Sequence, residues 1–199
     1  MIAKKKKTIP NNYRDLENLF TDWRSFENPA IYNGAPDYRK SQLMVSQKEY
    51  ESLKTRLYEI DTTKWPIQYQ VDWNIVLAEM NGYDFNYRIL KPWERDPAFY
   101  QTVWMYQSDV PAHEGPTNHG VLEFWKYEFP LSKNEEKRLE KELLVIPPLL
   151  RQARENLTGN AKDLWVAGIE NFKSQNDDLD VIRRKVGNVN QLLVDAIKK

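Results

Sequence analysis

A chain of 199 residues can bury one genuine hydrophobic core, since folding should remove about 70% of the extended chain's surface from water. Its 29 basic and 29 acidic side chains cancel, which argues against a general attraction to nucleic acid or to anionic membranes. The absence of cysteine excludes disulfide bonds and thiolate metal sites.

The sequence gives no sign of export or membrane insertion. No apolar run approaches the ~20 residues that span a bilayer. The residues after Lys7, TIPNNY, stand where a signal peptide needs its apolar segment. We therefore predict a soluble, cytoplasmic protein with no signal peptide, no membrane partner and no nucleic-acid partner.

Domain organisation follows from charge and turn residues. The basic run Lys4 to Lys7 is typical of a solvated tail, so residues 1–10 are interpreted as a flexible basic tail. Residues 11–199 are predicted to form a single helical domain. A subdomain break is expected near 109–120, where two prolines and two glycines exclude regular structure.

The first half of the chain shows apolar residues at helical spacing. A stripe within residues 13–26 predicts a first helix that ends before Pro29. Residues 28–41 combine prolines, a glycine and polar residues, the composition of an ordered loop. A capping box of Ser46 and Glu49 then predicts a second helix over 46–61.

A third helix is predicted to start at Pro66, because the first turn of a helix tolerates proline, and to run as far as Leu90. A weaker helix is expected over 97–107. Residues 121–129 are rich in aromatic residues but alternate poorly, so either an extended or a helical segment fits them.

The last part of the chain is again periodic. Ser132 and Glu135 form a second capping box, and the helix that they start should break near Val145 because of Pro147 and Pro148. Two apolar stripes follow, the first of which is Leu164, Trp165, Ile169 and Phe172. The predicted fold class is therefore all-α, an irregular antiparallel helical bundle with a possible short extended segment near 121–129.

Metal chemistry has one candidate set, His113, Glu114 and His119. A zincin motif needs two histidines four residues apart on one helix, whereas these are six apart with Gly115 and Pro116 between them. We consider this set and disfavour it. Since no nucleophile motif is present either, we predict no catalytic residue, no metal site and no cofactor in this chain.

The candidate binding residues lie in the aromatic-rich stretch from Trp65 to Tyr100. They are Asp72, Asp84, Arg88, Trp93 and Arg95. Charged groups among aromatic rings cost free energy unless they are paired, so one interpretation is that the arginines pair with Asp84, Asp72 or Asp96 to fix a helix junction. The alternative is that these residues line a cleft for a peptide or an anionic end group.

This block also carries a family resemblance. Segments such as Glu79-Met80-Asn81-Gly82 and Arg95-Asp96-Pro97-Ala98-Phe99-Tyr100, with Asn156-Leu157-Thr158-Gly159-Asn160 further on, resemble the N-terminal region of the domain of unknown function 885 family. The resemblance implies a helical part of a much longer zinc peptidase of the gluzincin type. The HExxH signature of that family lies in its C-terminal half and does not occur here, so the resemblance implies zinc only for the longer protein.

Two functional hypotheses follow. The first is a non-catalytic, N-terminal helical part of a metallopeptidase-like protein that contributes one wall of a peptide-binding cleft. Its partners would be a C-terminal catalytic half or a peptide substrate, and on its own it is expected to be inactive and prone to self-association. The alternative is a freestanding helical binding or scaffold module that recognises a protein partner or a glycan through exposed aromatic residues. A reading frame with HExxH beyond Lys199 would favour the first hypothesis.

Overall fold

A computed structural model describes residues 12–107 and 122–186. Most of these residues are helical, which confirms the predicted all-α class. The helices are α1 (Tyr13–Phe26), α2 (Lys40–Glu59), α3 (Ile67–Phe85), α4 (Pro92–Arg95), α5 (Lys133–Leu143), α6 (Ile146–Asn156) and α7 (Lys162–Val186). No helix in the two described ranges is long and apolar enough to cross a bilayer.

The chain forms two compact units. The first comprises Met1–Asn28 and Ser41–Phe85, and the second comprises Pro29–Lys40 and Asn86–Lys199. The predicted tail at 1–10 and the predicted break at 109–120 both lie outside the described residues. The prediction of a single domain over 11–199 stays a prediction.

The first unit consists of α1, α2 and α3 around a core rich in aromatic side chains. Asn12 and Asp15 form a capping box that starts α1. The fully buried Trp23 packs between Phe26, Tyr50 and Tyr83, with ring centroids 5.3 to 6.4 Å from its own. The predicted end of the first helix before Pro29 is confirmed.

The start of the second helix was predicted wrongly. α2 begins at Lys40, so Ser46 lies inside the helix and does not cap it. Residues 40–45 contain no proline or glycine, and the helix therefore extends back through them. The third helix, α3, starts at Ile67, one residue after the predicted start at Pro66, and continues into a π-helical segment at Asn86–Leu90.

In the second unit, the predicted loop at 28–41 contains a β-hairpin. Strand β1 (Ile31–Tyr32) pairs antiparallel with β2 (Ala35–Pro36). The two residues between the strands, Asn33 and Gly34, have φ of 51° and 83°. An Asn-Gly pair adopts this left-handed backbone at little cost, which is why a two-residue turn forms here.

The helix predicted over 97–107 is wrong after Tyr100. A 3₁₀ turn at Pro97–Tyr100 gives way to strand β3 (Val103–Trp104), which pairs in parallel with β4 (Leu122–Glu123). Both alternatives left open for 121–129 occur in part, since the extended strand β4 is followed by a 3₁₀ turn at Phe124–Lys126.

Local sequence signals predicted the start of α5 and the boundary between α5 and α6 correctly. Ser132 and Glu135 form the predicted capping box of α5, and the break near Val145 separates α5 from α6. The last apolar-periodic segments belong to one continuous helix, α7, as far as Val186. Two clusters form the core of this unit, one around Leu139, Leu143 and Ile182 and one around Tyr100 and Leu149.

Candidate functional site

A groove of about 870 Å³ lies in the second unit between α6, α7 and the 3₁₀ turn at Pro97. We call it the α6–α7 groove. It is lined by Pro97, Leu150, Ala153, Arg154, Leu157, Trp165, Ile169, Phe172, Lys173, Asn176 and Asp177. Its volume falls within the usual range of small-ligand sites, and most of its lining is apolar.

Two glycines allow the elements around the groove to approach closely. A Cβ on Gly168 of α7 would lie 2.6 Å from Cβ of Pro97, so only glycine fits between this helix and the proline ring. A Cβ on Gly159 would lie 2.6 Å from Cγ of Arg95. The Gly159 amide donates to the carbonyl of Glu94 at 2.9 Å, and its carbonyl accepts from the indole of Trp165 at 3.2 Å. The turn between α6 and α7 is therefore anchored to α4.

The buried side-chain amides of Gln152 and Asn156 on α6 hold the end of the β-hairpin, from Pro36 to Tyr38, against this helix. We call residues 36–38 the hairpin segment. Gln152 Oε1 accepts from the Tyr38 amide at 2.7 Å, and Gln152 Nε2 donates to the Pro36 carbonyl at 2.9 Å. One turn later, Asn156 Nδ2 donates to the Tyr38 carbonyl at 2.8 Å and to the Tyr100 hydroxyl at 3.0 Å. Because these two residues are four apart, both side chains project from one face of α6.

The tyrosines of this network stay neutral. Burial raises the pKa of Tyr38 and of Tyr100 well above the usual range, although the hydrogen bond from Asn156 partly opposes the shift at Tyr100. The Tyr100 hydroxyl in turn donates to the Trp93 carbonyl at 2.8 Å. The network is thus a structural frame behind the groove, and none of its groups is poised for proton transfer near neutral pH.

A third buried amide ties α7 to the short sheet. Gln175 Oε1 accepts from the amides of Thr102 and Val103 at 2.7 and 3.1 Å. Gln175 is 2% exposed, so these two backbone donors would lose their partner if the side chain were shortened. Together with Gly168, this contact sets the position of the α7 face that borders the groove.

The rim of the groove carries charges of both signs. Lys173 pairs with Glu170 at 2.8 Å, and both side chains are about two-thirds exposed. Asp177 lies next to Asp178, whose pKa is raised by burial and by the charge of Asp177. Arg154 is exposed and has no ion-pair partner among the described residues, so its guanidinium is available to an anionic ligand.

The predicted binding residues lie elsewhere. Asp72 and Asp84 belong to the first unit, where Asp72 accepts a hydrogen bond of 2.8 Å from the Tyr13 hydroxyl. That bond raises the pKa of Tyr13. Asp84 also has interactions of its own. The Asp72 carboxylate is therefore engaged within the first unit.

Arg88, Trp93 and Arg95 belong to the second unit, and none of them lines the α6–α7 groove. The Trp93 ring lies 5.3 Å from that of Tyr87 and packs against the cluster around Tyr100. Arg95 covers Gly159, as described above. The predicted pairing of the arginines with Asp84, Asp72 or Asp96 stays a prediction.

Asp96 has a local role. Its Oδ1 accepts from the Ala98 amide at 2.9 Å and so caps the 3₁₀ turn at Pro97–Tyr100. Burial raises the pKa of Asp96, and the hydrogen bond from Ala98 opposes that shift in part. Asp96 is therefore a partly buried cap whose ionisation is opposed by desolvation.

The metal candidates lie outside the described residues. His113, Glu114 and His119 fall between Gln107 and Leu122, where the structure describes no residue. Within residues 12–107 and 122–186, no group of three histidine, aspartate or glutamate side chains is arranged to hold a metal ion. The zinc that the family resemblance implies has no set of ligands in these ranges.

Sequence reasoning missed the groove because it interpreted its apolar stripe only as one face of a helix. Trp165, Ile169 and Phe172 recur at helical spacing, which is the usual pattern of a buried helix face. In the structure Ile169 is 50% exposed, while Trp165 and Phe172 are partly exposed. Arg154 had no distinguishing signal, because an exposed arginine on a helix is common.

No family model, no curated protein and no solved structure matches this chain. The resemblance to the domain of unknown function 885 family therefore stays a prediction.

Proposed function

We propose that this chain is a non-catalytic helical binding module whose α6–α7 groove takes an apolar side chain at the end of a peptide. The observation that carries the proposal is the pairing of an apolar groove with Arg154, an exposed guanidinium without a counter-ion among the described residues. The groove supplies surface for an aromatic or aliphatic side chain. Arg154 supplies two parallel N–H donors for a carboxylate.

The chemistry of the lining favours a peptide over a highly charged ligand. Trp165 and Phe172 offer flat apolar surface, and Ile169 extends it toward solvent. The rim contributes Arg154 and Lys173 as cations and Asp177 as an anion, and Lys173 already pairs with Glu170, so these charges suit a ligand with a single negative charge. A C-terminal aromatic or aliphatic residue with its free carboxylate matches this set.

The family resemblance adds a wider context to the same proposal. In that context the module is the N-terminal helical part of a metallopeptidase-like protein, and the groove is one wall of its peptide-binding cleft. The peptide would be cleaved by a zinc site in another part of the longer protein. The module alone would bind peptide without hydrolysing it.

The proposal is tested by titrating the chain with a fluorescent tripeptide, Gly-Ala-Phe, labelled at its N-terminus and carrying a free carboxylate. We expect binding to wild type and loss of binding in Ile169→Glu, because the new charge would sit over the apolar groove. Val166→Glu is the matched control. Val166 is as exposed as Ile169 and lies on the same helix but does not line the groove.

The role of Arg154 has its own test. Arg154→Gln should weaken binding of the carboxylate peptide about tenfold, which corresponds to ~1.4 kcal/mol, and should leave binding of the C-terminal amide unchanged. Equal affinity of the two peptides for wild type, or equal binding by Ile169→Glu and Val166→Glu, would contradict the proposal.

A second candidate rests on exposed aromatic residues beside β3. Tyr106 is 83% exposed and Trp104 is 39% exposed, a pairing that suits the face of a sugar ring. In this case the chain would be a freestanding module for a glycan. Binding of a soluble chito-oligosaccharide that is lost in Tyr106→Ala and retained in Tyr58→Ala would favour it over the peptide.

A further inference from the structure

Helix α3 has two apolar faces. One contains Val76 and Met80 and forms part of the core of the first unit. The other faces solvent and consists of Ile67, Val71, Ile75, Ala78, Gly82 and Phe85, which we call the α3 stripe. At about 100° per residue these six positions fall within one narrow strip of the helix surface. A surface helix normally needs only one apolar face.

The large residues of the stripe are well exposed. Ile67 is 79% exposed, and Val71, Ile75 and Phe85 are each close to 50% exposed. Ala78 and Gly82 are exposed as well, and a Cβ on Gly82 would meet nothing within 4 Å. The stripe therefore has large apolar side chains from Ile67 to Ile75 and small residues at Ala78 and Gly82 before it ends at Phe85.

The charges of α3 are directed away from the stripe. Asp72 accepts from the Tyr13 hydroxyl, and Glu79 pairs with Arg24 at 2.9 Å. Asp84 interacts electrostatically with Lys54 of α2. None of the three carboxylates belongs to the stripe, whose six residues are all uncharged. A neutral apolar strip can meet an identical strip without repulsion between like charges.

The order of large and small residues makes the stripe complementary to itself in one orientation. If two copies of α3 cross antiparallel about a two-fold axis near residue 76, Ile75 of each copy faces Ala78 of the other. Val71 then faces Gly82, and Ile67 faces Phe85. Large residues meet small ones at the centre, where two helices must approach most closely. A parallel pairing would instead place Ile75 on Ile75 and Gly82 on Gly82.

From this pattern we infer that the α3 stripe is a homodimer interface, in which the second copy of the chain packs antiparallel through the same residues. A 19-residue helix is about 28 Å long, so one helix pair gives an interface near the lower limit of ~1,200 Å² for specific complexes. The dimer should therefore dissociate at micromolar concentrations.

Sedimentation equilibrium of the full chain from ~5 to ~300 µM tests the dimer, because this range spans the expected dissociation constant. The mass of wild type should rise from the 23.7 kDa of one chain toward twice that value. Ile75→Glu should remain at 23.7 kDa at all concentrations with an unchanged circular dichroism spectrum. The control Met44→Glu alters an equally exposed apolar residue of α2 and should dimerise like wild type. A wild type that stays monomeric, or an Ile75→Glu variant that still dimerises, would overturn the inference.

The orientation is tested by cysteine cross-linking, since the chain has no cysteine of its own. Val71→Cys mixed with Gly82→Cys should form a disulfide-linked dimer on oxidation. Val71→Cys alone should remain uncross-linked, because the two copies of residue 71 lie far apart in the antiparallel arrangement. Efficient cross-linking of Val71→Cys to itself would indicate a parallel pair and overturn the proposed register.

Discussion

The buried side chain of Gln152 provides the most direct test of the frame behind the α6–α7 groove. Its amide satisfies two backbone groups of the hairpin segment, the Tyr38 N–H and the Pro36 carbonyl. Gln152 is 4% exposed, so water cannot replace it in the folded state. Only a side chain with one donor and one acceptor can satisfy both groups.

Replacement by leucine keeps the size of the side chain but removes both hydrogen bonds. An unpaired buried polar group costs about 1–3 kcal/mol, so two of them should cost about 2–6 kcal/mol. Burial of the apolar leucine recovers roughly 1 kcal/mol of this loss. We expect Gln152→Leu to lower the free energy of unfolding by about 1–5 kcal/mol.

Replacement by glutamate should give a pH-dependent loss. A carboxylate accepts from the Tyr38 amide but cannot donate to the Pro36 carbonyl, and burial raises its pKa above that of the unfolded chain. The protonated acid can donate to the Pro36 carbonyl. The variant protein therefore keeps this stabilisation below the pKa of the carboxyl group in the unfolded chain, about 4.3, and loses it as the pH rises through the pKa of that group in the folded chain. The deficit of Gln152→Glu relative to wild type should thus be small near pH 4 and large near pH 8.

Urea unfolding followed by circular dichroism measures these changes, and hydrogen exchange of the Tyr38 amide reports on the local contact. Gln107→Leu and Gln107→Glu are controls, because Gln107 belongs to the same unit and is exposed. The reasoning is refuted if Gln152→Leu changes stability by less than ~0.5 kcal/mol, the range of ordinary surface substitutions. It also fails if the deficit of Gln152→Glu is independent of pH.

Three other substitutions have definite expected outcomes. Gly168→Ala should be destabilising by about 1–3 kcal/mol in urea unfolding, since its Cβ would lie 2.6 Å from a ring atom of Pro97; an unchanged midpoint would contradict the close approach. Gly82→Ala is the matched change on an open helix surface and should stabilise by roughly 0.5–1 kcal/mol, so a loss of stability there would be evidence against the exposed position. Asp96→Asn keeps an acceptor for the Ala98 amide and removes a desolvated charge. Because burial raises the pKa of Asp96, ionisation of this carboxyl group opposes folding at pH values above that pKa. The variant should therefore match or exceed the melting temperature of wild type at pH 7. Near pH 3, where the carboxyl group is protonated, this advantage should be lost. A lower melting temperature at pH 7 would show that the charge is stabilising.

Local signals were sufficient for several elements of the fold. The capping box of Ser132 and Glu135 and the break at Pro147 and Pro148 act through the backbone within a few residues, so the sequence specifies them directly. The pairing of β3 with β4 joins segments about twenty residues apart, and each strand has only two residues. Such a contact depends on the packing around it, so no local pattern could predict it.

The candidate site was harder to predict than the fold, because periodicity identifies apolar faces without saying which of them are covered. The stripe through Trp165, Ile169 and Phe172 was predicted only as a helix face, and in the structure it borders the groove. Charged residues of the aromatic block show a different difficulty. Asp72 was a predicted binding residue, and its carboxylate accepts from the Tyr13 hydroxyl. Asp96 was expected to pair with an arginine, and its carboxylate accepts from the Ala98 amide.

The central claim, that the α6–α7 groove binds a peptide end, is tested most directly by the indole N–H resonances of the seven tryptophans. Trp165 is the only tryptophan that lines the groove, and all seven lie within the described residues. Titration of ¹⁵N-labelled protein with Gly-Ala-Phe should shift the Trp165 resonance, assigned through Trp165→Phe, in a saturable manner and leave the other six in place. A Trp165 resonance that stays fixed while the peptide binds would contradict the claim.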